Sequence, residues 1–495
     1  MRRNKRRTAA VSRIRKVSAG LCVAALLAGC GGDGGSGGAS SGGTAVAPAP
    51  SPTPTATAAC SLRARQDWAA AQLREWYLFP ETLPTSFDPG GATTLQAYVD
   101  TLTATARAQS KDRFFTYVTS IAEENAYYSS GSSAGYGVRL AVDAAAQRLF
   151  VSEAFEGAPA LAAGIDRGTE ILAIGTSAGD LRTVASLIQA GGSALTDAFG
   201  PPDAGVARVF RVRAPDGTQS DVTVAQRDYA LLPVSSRYGI RIIEDGGRRV
   251  GYVNLRTFIS TADQALRDGF AQFRAAGVTE VIVDLRYNGG GLVATAELFG
   301  DLLGGGRSTN DVFSYTTFRP EKAAENRTDF FTPQPQSIAA TRIAFIGTGA
   351  SASASELVIN AFTPYLHTNA ALIGTNTYGK PVGQIARDLA ACDDRLRLVA
   401  FATQNAARQG AYYTGLAPVV EATCQASDDL AYPLGDVREA SVRQALDFLA
   451  GRACTPIGGA RPSASAARTS DVAVRREALT PPRPTTIQRE TPGAF

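Results

Sequence analysis

The sequence predicts an α/β protein: an α/β core in the second half of the chain, a small β-rich domain before it, and a helical N-terminal region. Three observations predict this. From Val250 onward, continuous apolar segments such as Val278 to Leu285 alternate with helical periodicity, the pattern of strands buried on both faces by helices. Between Tyr136 and about Arg227, short strand signals dominate. Before them, residues 61–134 read mainly helical. A chain of 495 residues has room for two or three domains at roughly 150 residues each.

In chain order, Leu62 to Tyr77 is an Ala/Arg/Gln-rich helix with Trp68, Leu73 and Trp76, and a second helix covers Leu95 to Ala108. The Tyr127–Gly135 stretch breaks regularity. Strands are expected at Val138–Val142, Leu149–Val151, Glu170–Ile174, Ala207–Val212 and Gln219–Val224, with short helical stretches near Ala158–Ala163 and Thr183–Gln189. Val250 to Leu255 is the next strand. Leu266, Phe270 and Phe273 recur at helical spacing, and Gly277 ends that helix. A helix follows Asn288-Gly289-Gly290-Gly291 to about Leu303, and residues 305–340 read as irregular. Strands at Arg342–Ile346, Ala371–Gly374 and Leu396–Phe401, and helices at Glu356–Phe362 and Ala440–Leu449, complete the core. From Thr455 the chain is Pro/Thr/Ser/Arg-rich, and disorder is expected.

The formal charge of +4 comes from the leader, whose first 30 residues hold eight Lys/Arg and no Asp/Glu. Without them 41 basic residues face 45 acidic ones, about −4, which excludes the basic surface of a nucleic-acid binder. The basic start, the apolar run Leu21–Ala28 and Gly29-Cys30 form a secretory signal too short to span a bilayer. Leu27-Ala28-Gly29-Cys30 looks like a bacterial lipobox, with Cys30 the lipidated residue. The Gly/Ser-rich and then Pro/Ala/Thr-rich residues 31–59 fit a tether. The expected location is the cell envelope, on the periplasmic face of the outer membrane if the source is Gram-negative.

Cys60, Cys392, Cys424 and Cys454 then lie in an oxidising compartment. Of three possible connectivities, the expectation is Cys392–Cys424, closing a local loop, and Cys60–Cys454, joining the ends of the folded part. A single histidine, His367, excludes zinc sites built on several histidines, and no metal or cofactor is expected.

Gly-x-Ser-x-Gly occurs three times, at 34–38, 131–135 and 175–179, a weak signal in a chain with 50 glycines. A Ser-His-Asp triad would have to use His367. No Ser-x-x-Lys occurs. The sharper site is Gly349-Ala350-Ser351-Ala352-Ser353-Ala354-Ser355-Glu356, between a buried strand and a helix. Free N–H groups at a helix start can hold an oxyanion. Ser353-x-x-Glu356 equally reads as a capping box, and the segment alone leaves both readings open. Lys380 adds weight to the first, because only three lysines remain after the leader and arginine serves elsewhere as the surface cation. A general base must release its proton, which arginine cannot do.

Ser353-Ala354-Ser355-Glu356 with Tyr378-Gly379-Lys380 and Gln384 resembles the C-terminal processing (tail-specific) peptidases, serine–lysine enzymes with a crotonase-like core. Asp284-Leu285-Arg286-Tyr287-Asn288-Gly289-Gly290-Gly291-Leu292 resembles their Asp-Leu-Arg-x-Asn-x-Gly-Gly motif. The resemblance covers residues 250–405. It implies Ser353 as nucleophile, Lys380 as base, Gln384 as the residue that positions the lysine, and oxyanion donors at Ala354 and at Gly291 or Gly290. The segment from Ser353 to Lys380, with Pro364 and His367, is about two residues longer than the family's usual one. Residues 135–227 resemble the PDZ domain these enzymes carry, with Tyr136, Gly137 and Val138 at the peptide-binding loop and Gly157–Ile165 and Gly168–Leu172 as its helix–turn–strand.

The expected organisation is a signal peptide (1–29), a lipid-anchored linker (30–59), a helical region (60–134), a PDZ-like domain (135–228), a serine peptidase core (229–454) and a disordered tail (455–495). The expected activity is a lipid-anchored serine endopeptidase acting on protein tails or unfolded segments. The rival is a non-catalytic scaffold binding protein C-termini. An acyl-CoA enzyme of the same fold is disfavoured by the signal peptide.

Overall fold

A computed structural model describes residues 59–458 and 476–495. Cys30 and the leader and tether through residue 58 lie outside the described residues. Among those described, no helix is long and apolar enough to cross a membrane.

The fold is α/β. Its centre is a six-stranded sheet ordered Ile240–Asp245, Arg248–Asn254, Glu280–Asp284, Arg342–Gly347, Ala370–Gly374, Ala422–Gln425. The first pair is antiparallel and the others parallel. Alternate residues of each strand serve opposite faces. Val253, Val281, Val283, Ile343, Phe345 and Leu372 pack on helices Ala262–Ala275, Val293–Leu303 and Ala354–Leu366. Val250, Tyr252, Ile282, Ala344 and Ile346 pack on helix Ala440–Leu449. Covering both faces is why these strands read as unbroken apolar runs.

A second, antiparallel sheet joins Tyr117–Ser120, Asp394–Gln404, Val312–Phe318 and Arg327–Phe330, with Val382–Leu389 also paired to Asp394–Gln404. Helices Leu62–Trp76 and Leu95–Leu102 close over its apolar face through Leu73, Tyr77, Tyr98 and Val99. A third sheet of seven strands is built on Val138–Asp143, Arg148–Ala154, Glu170–Gly175, Ala207–Arg213 and Gln219–Ala225 around its own core of Leu140, Val151, Ile171, Phe210 and Val212.

Several expectations need correction. The helix expected over Leu95–Ala108 is two, Leu95–Leu102 and Ala104–Ala108, parted at Thr103, which has left helical geometry. Residues 305–340 are not irregular throughout: Val312–Phe318 and Arg327–Phe330 form a hairpin whose Ser, Thr and Asp residues carry no apolar run.

The tail is not disordered over residues 476–495. Glu477–Ala478 pairs with the Val138–Asp143 strand, Thr486–Glu490 is a short helix, and Ala494 is buried. A Pro/Thr/Arg-rich composition describes a segment that cannot build its own core, but here the partners are supplied by the rest of the chain.

The disulfides are also exchanged relative to expectation: Cys60 joins Cys392 and Cys424 joins Cys454. Cys424 sits on the outermost strand of the six-stranded sheet, whereas Cys392 lies in the short 3-10 turn that joins two strands of the other sheet. Nearness in sequence did not mean nearness in space. Cys454 follows the helix that packs under Cys424, and Cys60 lies just before the helix Leu62–Trp76 that packs on the second sheet.

Candidate active site

Ser353 stands at the start of helix Ala354–Leu366, in the turn after the Arg342–Gly347 strand. Its backbone has φ 55° and ψ −116°, a sparsely populated region for a side-chain-bearing residue. An ordinary N-cap residue sits in the extended region. Ser353 departs from that geometry and still forms a capping box with Glu356, which accepts its N–H at 3.1 Å.

The strained turn is held by the Asp284–Gly291 loop. Ala352 N–H donates to Asn288 O at 3.0 Å, Ser355 Oγ to the same oxygen at 2.9 Å, and Ser351 Oγ to Leu285 O at 2.7 Å. Asn288 is fixed in turn by its side chain, which donates to Leu255 O and accepts from Gly290 N–H, both at 2.9 Å. Gly290 has φ 123°, and a Cβ there would lie 2.7 Å from Ser353 Cβ, so only glycine lets this loop approach the serine. The loop's Arg286 is fully buried and pairs with Asp284, Asp428 and Glu439.

Lys380 arrives from the loop between strands Ala370–Gly374 and Val382–Leu389. One carboxylate joins it to Ser353. Glu356 Oε2 accepts the N–H of Lys380 at 2.7 Å and that of Ser353 at 3.1 Å, and Oε1 accepts Gly379 N–H at 2.7 Å and Thr377 Oγ1 at 2.6 Å. Glu356 is wholly buried; burial raises its pKa, and those four donors oppose the rise.

Lys380 Nζ donates to Gln384 Oε1 at 2.9 Å. Four residues of regular strand would separate the two by ~13 Å. The strand changes register between Gly383 and Gln384, and the bend lets Gln384 turn back. Burial holds the Lys380 ammonium below the usual lysine pKa, partly offset by nearby Glu490. The amine also lies 5.2 Å from the Phe115 ring centre.

Sequence reasoning missed how the N-terminal region supports this lysine. Gln384 Nε2 donates to Phe115 O, and Arg113 Nη2 donates to Tyr378 O (2.7 Å) and Gly379 O (2.6 Å). Buried Asp112 fixes this stretch by accepting Phe115 N–H at 2.7 Å and Thr116 N–H at 3.1 Å. The adjacent polar run Lys111-Asp112-Arg113 was the only trace in the sequence.

His367 is not part of the site. It is exposed at the far end of the helix that begins at Ser353, bonded to Glu421 at 2.8 Å, and 14 positions at 1.5 Å each put it roughly 20 Å away. Ala354 is the first residue of that helix, and Gly291 borders Phe258 in an isolated parallel bridge. Gly290 N–H is engaged by Asn288, as above.

Tyr136 is buried beneath the β-rich domain, with its hydroxyl on Phe199 O at 2.8 Å. Gly137 and Val138 direct their N–H groups at Phe495 O, at 2.8 and 3.2 Å. Among the described residues no grouping of His, Cys, Asp and Glu could hold a metal ion.

The sequence profile of Peptidase family S41 matches residues 249–421. A carboxyl-terminal-processing peptidase 1, chloroplastic, of Arabidopsis thaliana is 31% identical over 237 residues, covering 46% of this chain and 42% of that protein. A carboxyl-terminal-processing protease of Picosynechococcus is 27% identical over 255 residues, covering 51% of this chain and 55% of that one. The chain thus spans about half the length of these relatives. A crystal structure described as an S41 protease from Bacteroides fragilis superposes with a TM-score of 0.61 at 24% identity, over 78% of this chain and 97% of that one, and shares the fold.

Proposed function

We propose, for a chain that carries a Peptidase family S41 domain over residues 249–421, that it is a serine endopeptidase working through a Ser353–Lys380 dyad. The observation that carries the reading is the single Glu356 oxygen that takes the backbone N–H of both residues. It supports a fixed spacing between a strained serine and a lysine whose pKa is held down by burial.

In this reading Lys380 Nζ takes the proton of Ser353 Oγ as that oxygen attacks the substrate carbonyl. The resulting oxyanion is held by the N–H groups of Ala354 and Gly291. Gly290 is the poorer donor, because its N–H is already bonded to Asn288. The tetrahedral intermediate collapses as Lys380 returns its proton to the leaving amine, and water then releases the acyl group from Ser353. Gln384, itself anchored to Phe115 O, orients the lysine.

The substrates are extended protein tails or unfolded segments, taken up by β-augmentation at the edge of the Val138–Asp143 strand in a PDZ-like domain of residues 135–228. Cys30 anchors the chain by a lipid at the cell envelope, and Cys30→Ala is expected to move it from the membrane to the soluble fraction. A fluorophosphonate probe tests the core of the proposal: it should label the parent and leave Ser353→Ala unlabelled. Equal labelling of both would refute it.

A further inference from the structure

The Val138–Leu140 part of the edge that would receive a peptide is occupied in this fold by residues 493–495 of the chain itself, and the Leu140–Val142 part by residues 477–479. Phe495 N–H donates to Val138 O at 2.9 Å, Gly137 and Val138 N–H return to Phe495 O, and Leu140 N–H donates to Gly493 O at 2.8 Å. Arg139 and Ala494 form an antiparallel bridge. The Phe495 ring packs 4.8 Å from that of Phe199. These are the bonds of an added strand, in which the backbone gives affinity and the side-chain pocket gives selectivity.

Upstream of that strand the segment continues into the candidate active site. Arg139 Nη1 donates to Pro492 O at 2.9 Å and to Tyr287 O at 2.7 Å, which ties the segment to the loop that supports Ser353. Gly289 N–H donates to Glu490 O at 2.9 Å. Gly289 is the neighbour of Gly290, which abuts Ser353. The Glu490 side chain is buried and bonded to Tyr128 Oη at 3.0 Å, Thr491 Oγ1 meets Tyr127 Oη at 3.2 Å, and Arg489 lies 3.7 Å over the Tyr117 ring.

We infer that residues 485–495 are a tethered peptide ligand that fills one continuous path from the Val138–Leu140 edge to the Ser353 loop, and that untethered peptides of the same kind compete for it. The inference rests on the proposed peptidase reading and adds regulation and ligand class to it. The ligand class is an extended segment with small residues followed by an aromatic one, as in Gly493-Ala494-Phe495. A substrate enters only when this segment leaves. An ionised Glu490 acts in the same sense, since it raises the Lys380 pKa against the effect of burial, while burial raises the pKa of Glu490 itself.

Two substitutions outside the catalytic groups release the segment. Gly493 has φ 88°, and a Cβ there would lie 2.7 Å from Leu140 O, so Gly493→Val is strained and obstructed at once. Phe495→Asp puts a charge against Phe199 and serves where the first variant folds poorly. Binding is read by fluorescence anisotropy of a labelled peptide of residues 485–495, in the Ser353→Ala background so that no peptide is consumed. The peptide is expected to bind each variant roughly tenfold or more tighter than the parent, whose path is filled. Equal affinity for all chains, or no binding to any, overturns the inference. With Ser353 restored, both variants should degrade an unfolded protein faster than the parent, and equal rates also overturn it. If no chain hydrolyses substrate or takes the fluorophosphonate probe while the binding pattern holds, the peptidase reading falls and the tethered ligand stands.

Discussion

Replacing Glu356 by glutamine separates positioning from stability. The carboxylate serves four donors, two on each oxygen. A glutamine amide has one oxygen, so whichever pair it keeps, its NH2 faces the other pair. If it keeps Thr377 and Gly379, the N–H groups of Ser353 and Lys380 lose their acceptor. Each buried donor left unsatisfied costs about 1–3 kcal/mol, roughly 2–6 kcal/mol for the two. The neutral amide also relieves a buried charge, and the upward shift of the Glu356 pKa says that its surroundings disfavour that charge. The two effects oppose each other in stability, so the melting temperature of Glu356→Gln should fall by less than the two lost acceptors alone would cause. Nothing offsets the loss of the shared anchor between Ser353 and Lys380. A displacement of about 1 Å at a reacting group can cost ~100-fold, and a fall of that order is expected in the second-order rate of fluorophosphonate labelling. The rate and the thermal unfolding curve are read on the same sample. A folded Glu356→Gln chain that labels within threefold of the parent would refute the reasoning.

Lys380→Arg should label no faster than Lys380→Ala, since arginine keeps the charge but does not release the proton. In the parent, labelling should rise with pH about a midpoint below the ordinary lysine value of 10.5, because burial depresses the Lys380 pKa; a midpoint at or above that value counts against the dyad. Between the depressed and ordinary values the unfolded chain holds more protons than the folded one, so stability from this group rises with pH there, and Lys380→Met should lack that rise. Gly290→Ala should abolish labelling, because its Cβ would stand 2.7 Å from that of Ser353 at a φ of 123°; a fully active variant would show that the loop does not need so close an approach. Peptide mapping without reduction should recover Cys60 linked to Cys392 and Cys424 to Cys454, and a Cys392–Cys424 peptide would contradict this fold.

Much of the candidate site can be picked out in the sequence because its residues lie in short motifs with local causes. Ser353 stands out by its small-residue turn between strand and helix, Lys380 by the scarcity of lysine, and the route from Gln384 back to Lys380 by the glycine before it. The register shift at Gly383 is where a strand with glycine bends most readily. What escaped reading depends on contacts between distant segments. Phe115 holds Gln384 across 269 positions of sequence, and no periodicity encodes that. The cysteine pairing failed for the same reason, since it depends on which sheet each cysteine reaches. Residues 485–495 failed through composition: proline, threonine and arginine hide Ile487, Ala494 and Phe495, whose apolar surface is covered by Tyr127, Phe155 and Phe199 from elsewhere.

Not all of the arginine–carboxylate pairs carry equal weight. Exposed pairs such as Arg63–Asp67 contribute little, since water screens both charges. Buried pairs behave differently when one member is removed, because the stranded charge costs roughly 3–5 kcal/mol. The buried set here is centred on Arg286, which binds Asp284 in its own motif, Asp428, and Glu439 at the start of helix Ala440–Leu449. Asp428 is shared with Arg167 of the β-rich domain at 2.7 Å, and Arg167 also donates to Tyr287 Oη at 2.8 Å. Tyr287 O is in turn held by Arg139, on the strand edge that carries residues 493–495. The Val138–Asp143 edge and the loop beneath Ser353 are therefore joined by buried, charge-assisted bonds. Asp428 and Glu439 both lie beyond residue 421, where the family match ends. The support of the Ser353 loop thus extends past the matched domain in both directions along the chain. Tyr287 in turn lies two positions before Gly289, whose amide donates to Glu490 O.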